Sequence, residues 1–476
     1  MTTVRARLPG VTDPGPALTA DDLVRLTGGR LLTRSDRLVR GGAVDSRAVR
    51  PGNLFVALPG ERTDGHDHLA DAVVAGAAAL LVTRPPADPA ALGDVTVIRV
   101  ADGIAALGAV AAGWRRRFDP LVVGITGSIA KTSTKEAVAA VLGTRFGTLR
   151  SVGNQNNEIG LPLTLLELGP EHEAAVLEMG MYVGGEIADL AAMARPSIGV
   201  VTAVQPVHLS RIGSIEAIEA AKGELLEALP AAGTAILNAD DPIVRRMAAR
   251  TAARPMTYGF ADDADVGAEA VTSAGTAGMR FTLRAGGERR PAVTPSLGRL
   301  SVHNGLAAAA VGLAAGVPLD AIVEGIAAGW SAPHRMTLVR LADVTVIDDS
   351  YNASPGSVAA ALEVLADLPG RPVAVLGEML ELGDAHEDGH RAVGDAAGRT
   401  AALLVVVGSA VGAIATAAAD AGLAPDRIFV VPDAASALEV LRPRLRDGDV
   451  VLVKGSRGIG LDALVDALRA ERGPAR

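Results

Sequence analysis

The 476-residue chain contains no cysteine. That excludes disulfides and thiolate metal sites, and with them a small secreted fold stapled by cross-links. It also lacks a strong charge of either sign, since 45 Lys and Arg face 54 Asp and Glu for a formal net charge of −9. Such mild acidity argues against a dedicated nucleic-acid binder, although a local basic pocket is compatible with it. No apolar h-region follows Met1 in "MTTVRARLPGVTDPGPALTADD", and the alanine-rich runs are broken by glycine or charge before they could span a bilayer. No short-period repeat is present, and no low-complexity tail beyond "ERGPAR". A soluble cytoplasmic protein is expected, with no nucleic-acid partner and no membrane insertion.

What is present is a length that predicts about three domains at roughly 150 residues each, and an alternation of strand-like and helix-like segments that predicts α/β layers with mostly parallel sheets. The first block, 1–117, has short strands in "NLFVALPG" and "AALLVTRP" around the helix-like "HLADAVVAGA", and ends at "GWRRRFDP", where an Arg cluster beside Asp-Pro reads as a linker. The second, 118–330, opens with the strand "LVVGITGS", after which "KTSTKEAVAAVLG" sets Val138, Val141 and Leu142 on one helical face. Further strands follow in "EAAVLEMG", "PSIGVVTAV" and "TAILNADD", with the helices "SIEAIEAAKGELLEAL" and "NGLAAAAVGLAAG". In the third, 331–476, "VTVIDDS", "RPVAVLGEM", "ALLVVVGS" and "DVVLVKGS" alternate with helices as in a doubly wound domain.

The stretch "GITGSIAKTSTKE", Gly124 to Glu136, joins a strand to a helix start through a Gly-rich turn ending in Lys-Thr. Backbone N–H groups at Gly127, Ser128 and Ser133 and the positive end of the helix would surround a polyphosphate, Lys131 would reach its β- and γ-phosphates, and the Thr132 hydroxyl would ligate Mg²⁺. Ala130 stands where the phosphate-loop pattern has glycine. If that position needs left-handed backbone, the methyl group costs roughly 1 to 2 kcal/mol, or about a factor of ten in nucleotide affinity. Taken alone, this loop leaves a tight strand-to-helix turn open as an alternative.

Motifs in all three blocks decide between the two. "VDSRAVRPGNLFVALPGERTDGHDHLADAVVAGAAALLV" in the first, "NQNNEIGLPLTLLEL", "VLEMG", "PVHLSRIGS" and "AKGELLEAL" in the second, and "HRM", "DDSYNASP", "AVLGEMLELG" and "VKGSRG" in the third follow one another in an order that resembles the Mur ligase family of ATP-dependent amide-bond-forming enzymes. The resemblance implies a three-domain α/β architecture: an N-terminal UDP-substrate domain, a central P-loop ATPase domain, and a doubly wound, Rossmann-like C-terminal domain that takes the incoming amine. "DDSYNASP" and "NNEIG" are similar to the branch whose substrates are a UDP-linked muramoyl tripeptide and D-Ala-D-Ala. ATP and Mg²⁺ are the implied cofactors, and a monomer is expected.

Residue roles follow from the same resemblance. Glu178 in "LEMG" and His208 in "PVHL" would deliver metal donors from strand ends; by themselves they read as a helix-terminal charge and a satisfied loop histidine. Lys222 in "AAKGE" matches a lysine that the family carbamylates to hold a second Mg²⁺, where the plain reading is a solvated lysine. Arg335 in "APHRM" resembles the arginine that reaches ATP from the domain junction, and Asp349 in "DDSYN" the nucleotide-contacting aspartate; a surface ion pair and a turn carboxylate are the plain readings. Asn304 matches an asparagine near the adenine, but Ser301 stands where a second is expected, and "TAVQPVHL" lacks the usual Asn and Gly before its proline. Ser46, Arg47, Asp64 and His66 fall on the uridine-diphosphate side, and Asn157 and Glu158 nearer the peptide. Asn352, Lys454, Ser456 and Arg457 fall on the dipeptide side, where Lys and Arg suit a carboxylate. Two other readings share these motifs: a paralogous ligase for a different acid and amine, and a catalytically silent nucleotide-binding scaffold.

Overall fold

The computed structural model describes residues 15–60, 63–205, 213–380 and 382–475. Its described residues form two compact units, one drawn from Met1–Pro120 with Glu158–Glu173, the other from Leu121–Asn157 with Ala174–Arg476. Three sheets of five, nine and six strands organise them, and the fold is mixed α/β throughout.

The first unit carries β1 (Arg30–Thr33), β2 (Gly42–Ala43), β3 (Leu54–Val56), β4 (Ala79–Val82) and β5 (Thr96–Arg99), in the order β1-β5-β4-β3-β2. β3 and β4 are buried along their whole length, which is why they read as continuous apolar runs rather than alternating ones. The Arg-rich stretch at the end of this block is only in part a linker. Its first residues close the helix Gly103–Arg115, where buried Trp114 donates from Nε1 to the Leu168 carbonyl at 3.0 Å. Residues 158–173 thus pack with the first unit although the chain has already entered the second, an excursion the sequence reading did not anticipate.

The second unit contains the nine-stranded sheet β6 (Leu121–Thr126), β7 (Thr148–Arg150), β8 (Ala174–Glu178), β9 (Ile198–Val201), β10 (Thr234–Asn238), β11 (Arg254–Gly259), β12 (Val266–Ser273), β13 (Met279–Ala285) and β14 (Glu288–Thr294). The order is β14-β13-β12-β11-β10-β9-β6-β8-β7, parallel from β7 to β12 and antiparallel through β13 and β14. Two helices, Lys131–Leu142 and Arg299–Ala314, pack on one another over this sheet. Val138, Val141 and Leu142 are fully buried there, as their spacing predicts. The sequence reading missed β11 to β14, strands with many exposed polar positions, of which β13 alternates buried and more exposed residues along its whole length.

The same unit holds β15 (Thr337–Arg340), β16 (Val344–Asp349), β17 (Arg371–Gly377), β18 (Leu403–Val407), β19 (Ile428–Val431) and β20 (Asp449–Lys454). Their order is β15-β16-β20-β17-β18-β19, parallel except for β15. Inserting the last strand between β16 and β17 sets Asp349 and Lys454 side by side at neighbouring carboxyl ends, where ligands of open α/β sheets bind. No helix among the described residues is long and apolar enough to cross a membrane.

Candidate functional site

A cavity of about 1100 Å³ opens at the carboxyl ends of β6, β8 and β10 and is lined from the other side by residues around β16 and β20. Its floor is the turn after β6. Gly127 cannot be replaced there, because it has φ +150° and a Cβ would lie 1.9 Å from the Thr202 hydroxyl. Ser128 pins the turn to the adjacent chain, donating from N to the Ala203 carbonyl at 2.8 Å and from Oγ to the Gln205 carbonyl at 3.0 Å. Ser133 also faces the cavity.

Ala130 occupies left-handed backbone, φ +64° and ψ 0°, immediately before the helix. The strain is therefore built into the loop itself, and replacing this residue acts first on folding. Relief of roughly 1 to 2 kcal/mol of strain is set against the roughly 0.5 to 1 kcal/mol of extra chain entropy that glycine loses. Ala130→Gly is expected to raise unfolding free energy by about 1.5 kcal/mol at most, read from urea midpoints, with ATP affinity changing by less than about threefold. A tenfold tightening of ATP without a stability gain would show instead that the loop adopts this conformation only when nucleotide is bound.

Lys131 folds back over the turn and donates to the Gly127 carbonyl at 2.7 Å. Burial pushes its ammonium pKa down, Glu178 opposes this, and the charge of Arg335 lowers it further. Glu178 ends β8 opposite Ile125 in the parallel register. Its Oε2 accepts from the Thr132 hydroxyl at 2.8 Å and its Oε1 from Asn156 Nδ2 at 2.7 Å, with the side chain almost wholly buried. The loop bearing Asn156 is tied down by Lys135, fully buried in the phosphate-loop helix, whose Nζ donates to the Ser151 carbonyl at 2.6 Å and pairs with Glu136 at 2.9 Å. Asn156 and Lys135 were not foreseen from sequence, although "NQNN" carries several amides that could brace a carboxylate. His208 lies outside the described residues.

Lys222 is buried within the helix Ile215–Glu227, and no hydrogen bond or ion pair to its Nζ is found among the described residues. Burial, with the nearby positive charge of Lys131, drives its pKa well below the ordinary lysine value. Its plain reading as a solvated lysine is thus excluded.

On the other flank, Asn304 accepts at Oδ1 from the Thr134 hydroxyl at 3.1 Å and also borders the cavity. Ser301 turns its hydroxyl to the Gly298 carbonyl at 2.7 Å and the Ser296 carbonyl at 2.9 Å, so it closes its own helix start. Two residues on, His303 packs its ring 4.9 Å from Tyr258 and 5.8 Å from Phe260, with Nε2 3.1 Å from Asn238 Oδ1 and 3.3 Å from Asp240 Oδ2. Burial opposes ionisation of Asp240, yet His303 and the N–H groups of Phe260 and Ala261 hold its carboxyl below the usual range. This polar and aromatic wall was missed in the sequence; "NADD" after a strand is the signal that could have found it.

Across the cavity, Arg335 lies over the Tyr351 ring at 4.1 Å. Asp349 and Lys454 pair at 2.5 Å, and Lys454 also donates to the Asn352 carbonyl at 2.9 Å, so these two side chains are already committed to each other. The Asn352 side chain accepts from the N–H of Ala353, and Ser456 Oγ from that of Leu380 at 2.9 Å. Arg457 pairs with Asp462 at 2.9 Å while keeping most of its side chain exposed. Asn157 precedes the excursion, and Glu158 belongs to the first unit.

In that first unit, Asp45 caps the turn at Ser46 and pairs with exposed Arg47 at 2.7 Å. Asp64 receives His66 Nδ1 at 2.6 Å and Arg84 at 2.6 Å, and His66 Nε2 accepts from the N–H of Thr83 at 3.0 Å. Asp45 thus holds its own turn, whereas Asp64 and His66 tie their loop to the segment after β4.

Residues 39–115 match the description "Mur ligase family, catalytic domain", 125–312 "Mur ligase middle domain", and 334–457 "Mur ligase, glutamate ligase domain". A Mycobacterium tuberculosis protein named UDP-N-acetylmuramoyl-tripeptide--D-alanyl-D-alanine ligase is 40% identical over 466 residues, covering 90% of this chain and 91% of its own. Among solved structures, MurF from Acinetobacter baumannii superposes with a TM-score of 0.85 at 30% identity, over 96% of this chain and all of its own. MurF from Thermotoga maritima in complex with ADP gives 0.79 at 27% identity, over 91% and 98%. With a phosphate loop, a strand-end carboxylate and an opposing arginine around one cavity, and with likeness to these proteins along nearly its whole length, the chain belongs to the Mur ligase family.

Proposed function

We propose that this chain is an ATP-dependent amide-bond ligase that joins a UDP-linked muramoyl tripeptide to D-Ala-D-Ala in the cytoplasm, a step of peptidoglycan precursor synthesis. The observation that carries this reading is the convergence of Lys131, Thr132 and Glu178 with Arg335 on one cavity. A carboxylate oxygen of the tripeptide attacks the γ-phosphorus of ATP, the bond to the β–γ bridging oxygen breaks, and ADP leaves. The neutral amine of D-Ala-D-Ala then attacks the acyl carbon, the tetrahedral adduct expels inorganic phosphate, and the nitrogen loses its proton. Two anions must meet in the first step, and Lys131 and Arg335 supply fixed positive charge for it.

The donors fit Mg²⁺. Hard oxygen ligands suit that ion, which keeps several waters and uses few protein groups, and the Thr132 hydroxyl and the Glu178 carboxylate adjoin at 2.8 Å. Thr132, Glu178 and His208 would hold one ion, and Lys222, once carbamylated, a second; bound there, Mg²⁺ neutralises phosphate charge. Asn304 and His303 border the cavity beside the phosphate-loop helix, where they would meet the base, while Arg457 keeps exposed donors for a carboxylate. Incubation with Mg²⁺-ATP, UDP-linked tripeptide and D-Ala-D-Ala is expected to yield the pentapeptide by mass together with one ADP per product. ATP binding without product, or ADP release only with another acid and amine, would overturn the substrate assignment.

A further inference from the structure

Arg335 sits between two residues in left-handed backbone, His334 at φ +59° and Met336 at φ +50°. Each such residue is strained by its Cβ, and two around one arginine persist only where the surroundings over-determine them. The end of β16 and the turn after it supply that constraint. Asp348 Oδ2 meets His334 Nδ1 at 2.9 Å, Asp349 Oδ1 accepts from the Met336 N–H at 3.1 Å, and Tyr351 N donates to the His334 carbonyl at 3.1 Å. The backbone on both sides of Arg335 is thereby fixed, but its side chain is not. No hydrogen bond or ion pair to the Arg335 guanidinium is found among the described residues, and its one close partner is the Tyr351 ring, 4.1 Å from Cζ.

Resting on the ligase reading above, we propose that Tyr351 is a positioning residue for phosphoryl transfer, holding the Arg335 guanidinium by its ring face so that every N–H of the arginine stays available to the γ-phosphate. The physical choice is informative. A carboxylate would fix the guanidinium equally well but would cancel its charge and occupy its donors, whereas an aromatic face restricts it through the ring quadrupole and leaves the donors free. Arg457, 5.6 Å from the same ring, is instead anchored by Asp462.

The test compares wild type, Tyr351→Phe and Tyr351→Leu as full-length proteins with matched melting temperatures. Tyr351→Phe is expected to keep kcat within about twofold. Tyr351→Leu is expected to lower kcat about tenfold, with the KM values for both peptide substrates moving by less than threefold. Equilibrium binding gives a readout independent of those substrates: Tyr351→Leu weakens a non-hydrolysable ATP analogue severalfold and leaves ADP unchanged. In an Arg335→Ala background the leucine substitution adds no further loss. Wild-type protein that binds the analogue but turns over no peptide would sink the ligase reading alone. Equal analogue affinity in Tyr351→Leu and wild type, an equally impaired Tyr351→Phe, or a raised KM for D-Ala-D-Ala with unchanged kcat would each overturn the role of the ring.

Discussion

Lys222→Ala is expected to abolish ligation, by about two to three orders of magnitude, while leaving the fold intact or more stable. A buried ammonium without an acceptor is among the costliest groups a protein interior can hold, and Lys222 is only 3% exposed, with no partner for its Nζ among the described residues. Retaining it makes sense if it is not an ammonium in the working enzyme. Its depressed pKa leaves more of the neutral amine that CO₂ requires, and the resulting carbamate is an anion facing the positive charge of Lys131. Short carboxylates such as formate or acetate added to Lys222→Ala should restore part of the rate, since they supply the missing anion. Stability gives a second readout, in CO₂-free buffer. Because the folded-state pKa is lowered, the unfolded chain binds more protons between that value and the ordinary 10.5. The penalty from Lys222 is full below the lowered value and disappears as pH rises towards 10.5. An alanine variant should thus be stabilised most at low pH, with the advantage shrinking as pH rises. Turnover within threefold of wild type would remove Lys222 from the mechanism.

How much of this was legible beforehand differs between the layers of the molecule. Strands such as β6, β8, β16 and β20 are buried on both faces, so they appear in sequence as unbroken apolar runs with a chemical residue at the carboxyl end. That pattern sets Glu178 at a strand end before any coordinates, whereas Asp349 and Lys454 come from the resemblance to the family. Strand β13, "MRFTLRA", alternates buried and exposed positions, a signal present in the sequence but masked by the Gly- and Arg-rich turns around it. Two further features depend on tertiary approach and leave no local trace. The pairing of Asp349 with Lys454 spans 105 residues and brings together two side chains to which motif position gave separate nucleotide and dipeptide roles. Tyr351 stands beside a residue assigned from sequence, yet its part emerges only from the stacking of Arg335 upon it.

Glu178→Gln is expected to be as damaging as Glu178→Ala, and the reason separates a metal-binding role from a packing one. Both carboxylate oxygens already serve the protein, Oε2 accepting from Thr132 and Oε1 from Asn156. A glutamine can keep the Thr132 contact through its carbonyl oxygen, but its NH₂ meets the Asn156 amide, which must flip to present oxygen instead. After that flip the hydrogen bonds are restored and the volume is unchanged, so the melting temperature should stay within a few degrees of wild type. What glutamine does not restore is the negative charge that pairs with a divalent cation. Ligation should therefore fall by about two to three orders of magnitude in both variants. In Glu178→Gln the Mg²⁺ concentration for half-maximal rate should rise well above that of wild type, while Mg²⁺-free ADP binds with unchanged affinity. A glutamine variant with near wild-type turnover at saturating Mg²⁺ would show that Glu178 serves only to hold the phosphate-loop threonine and the Asn156 loop in place.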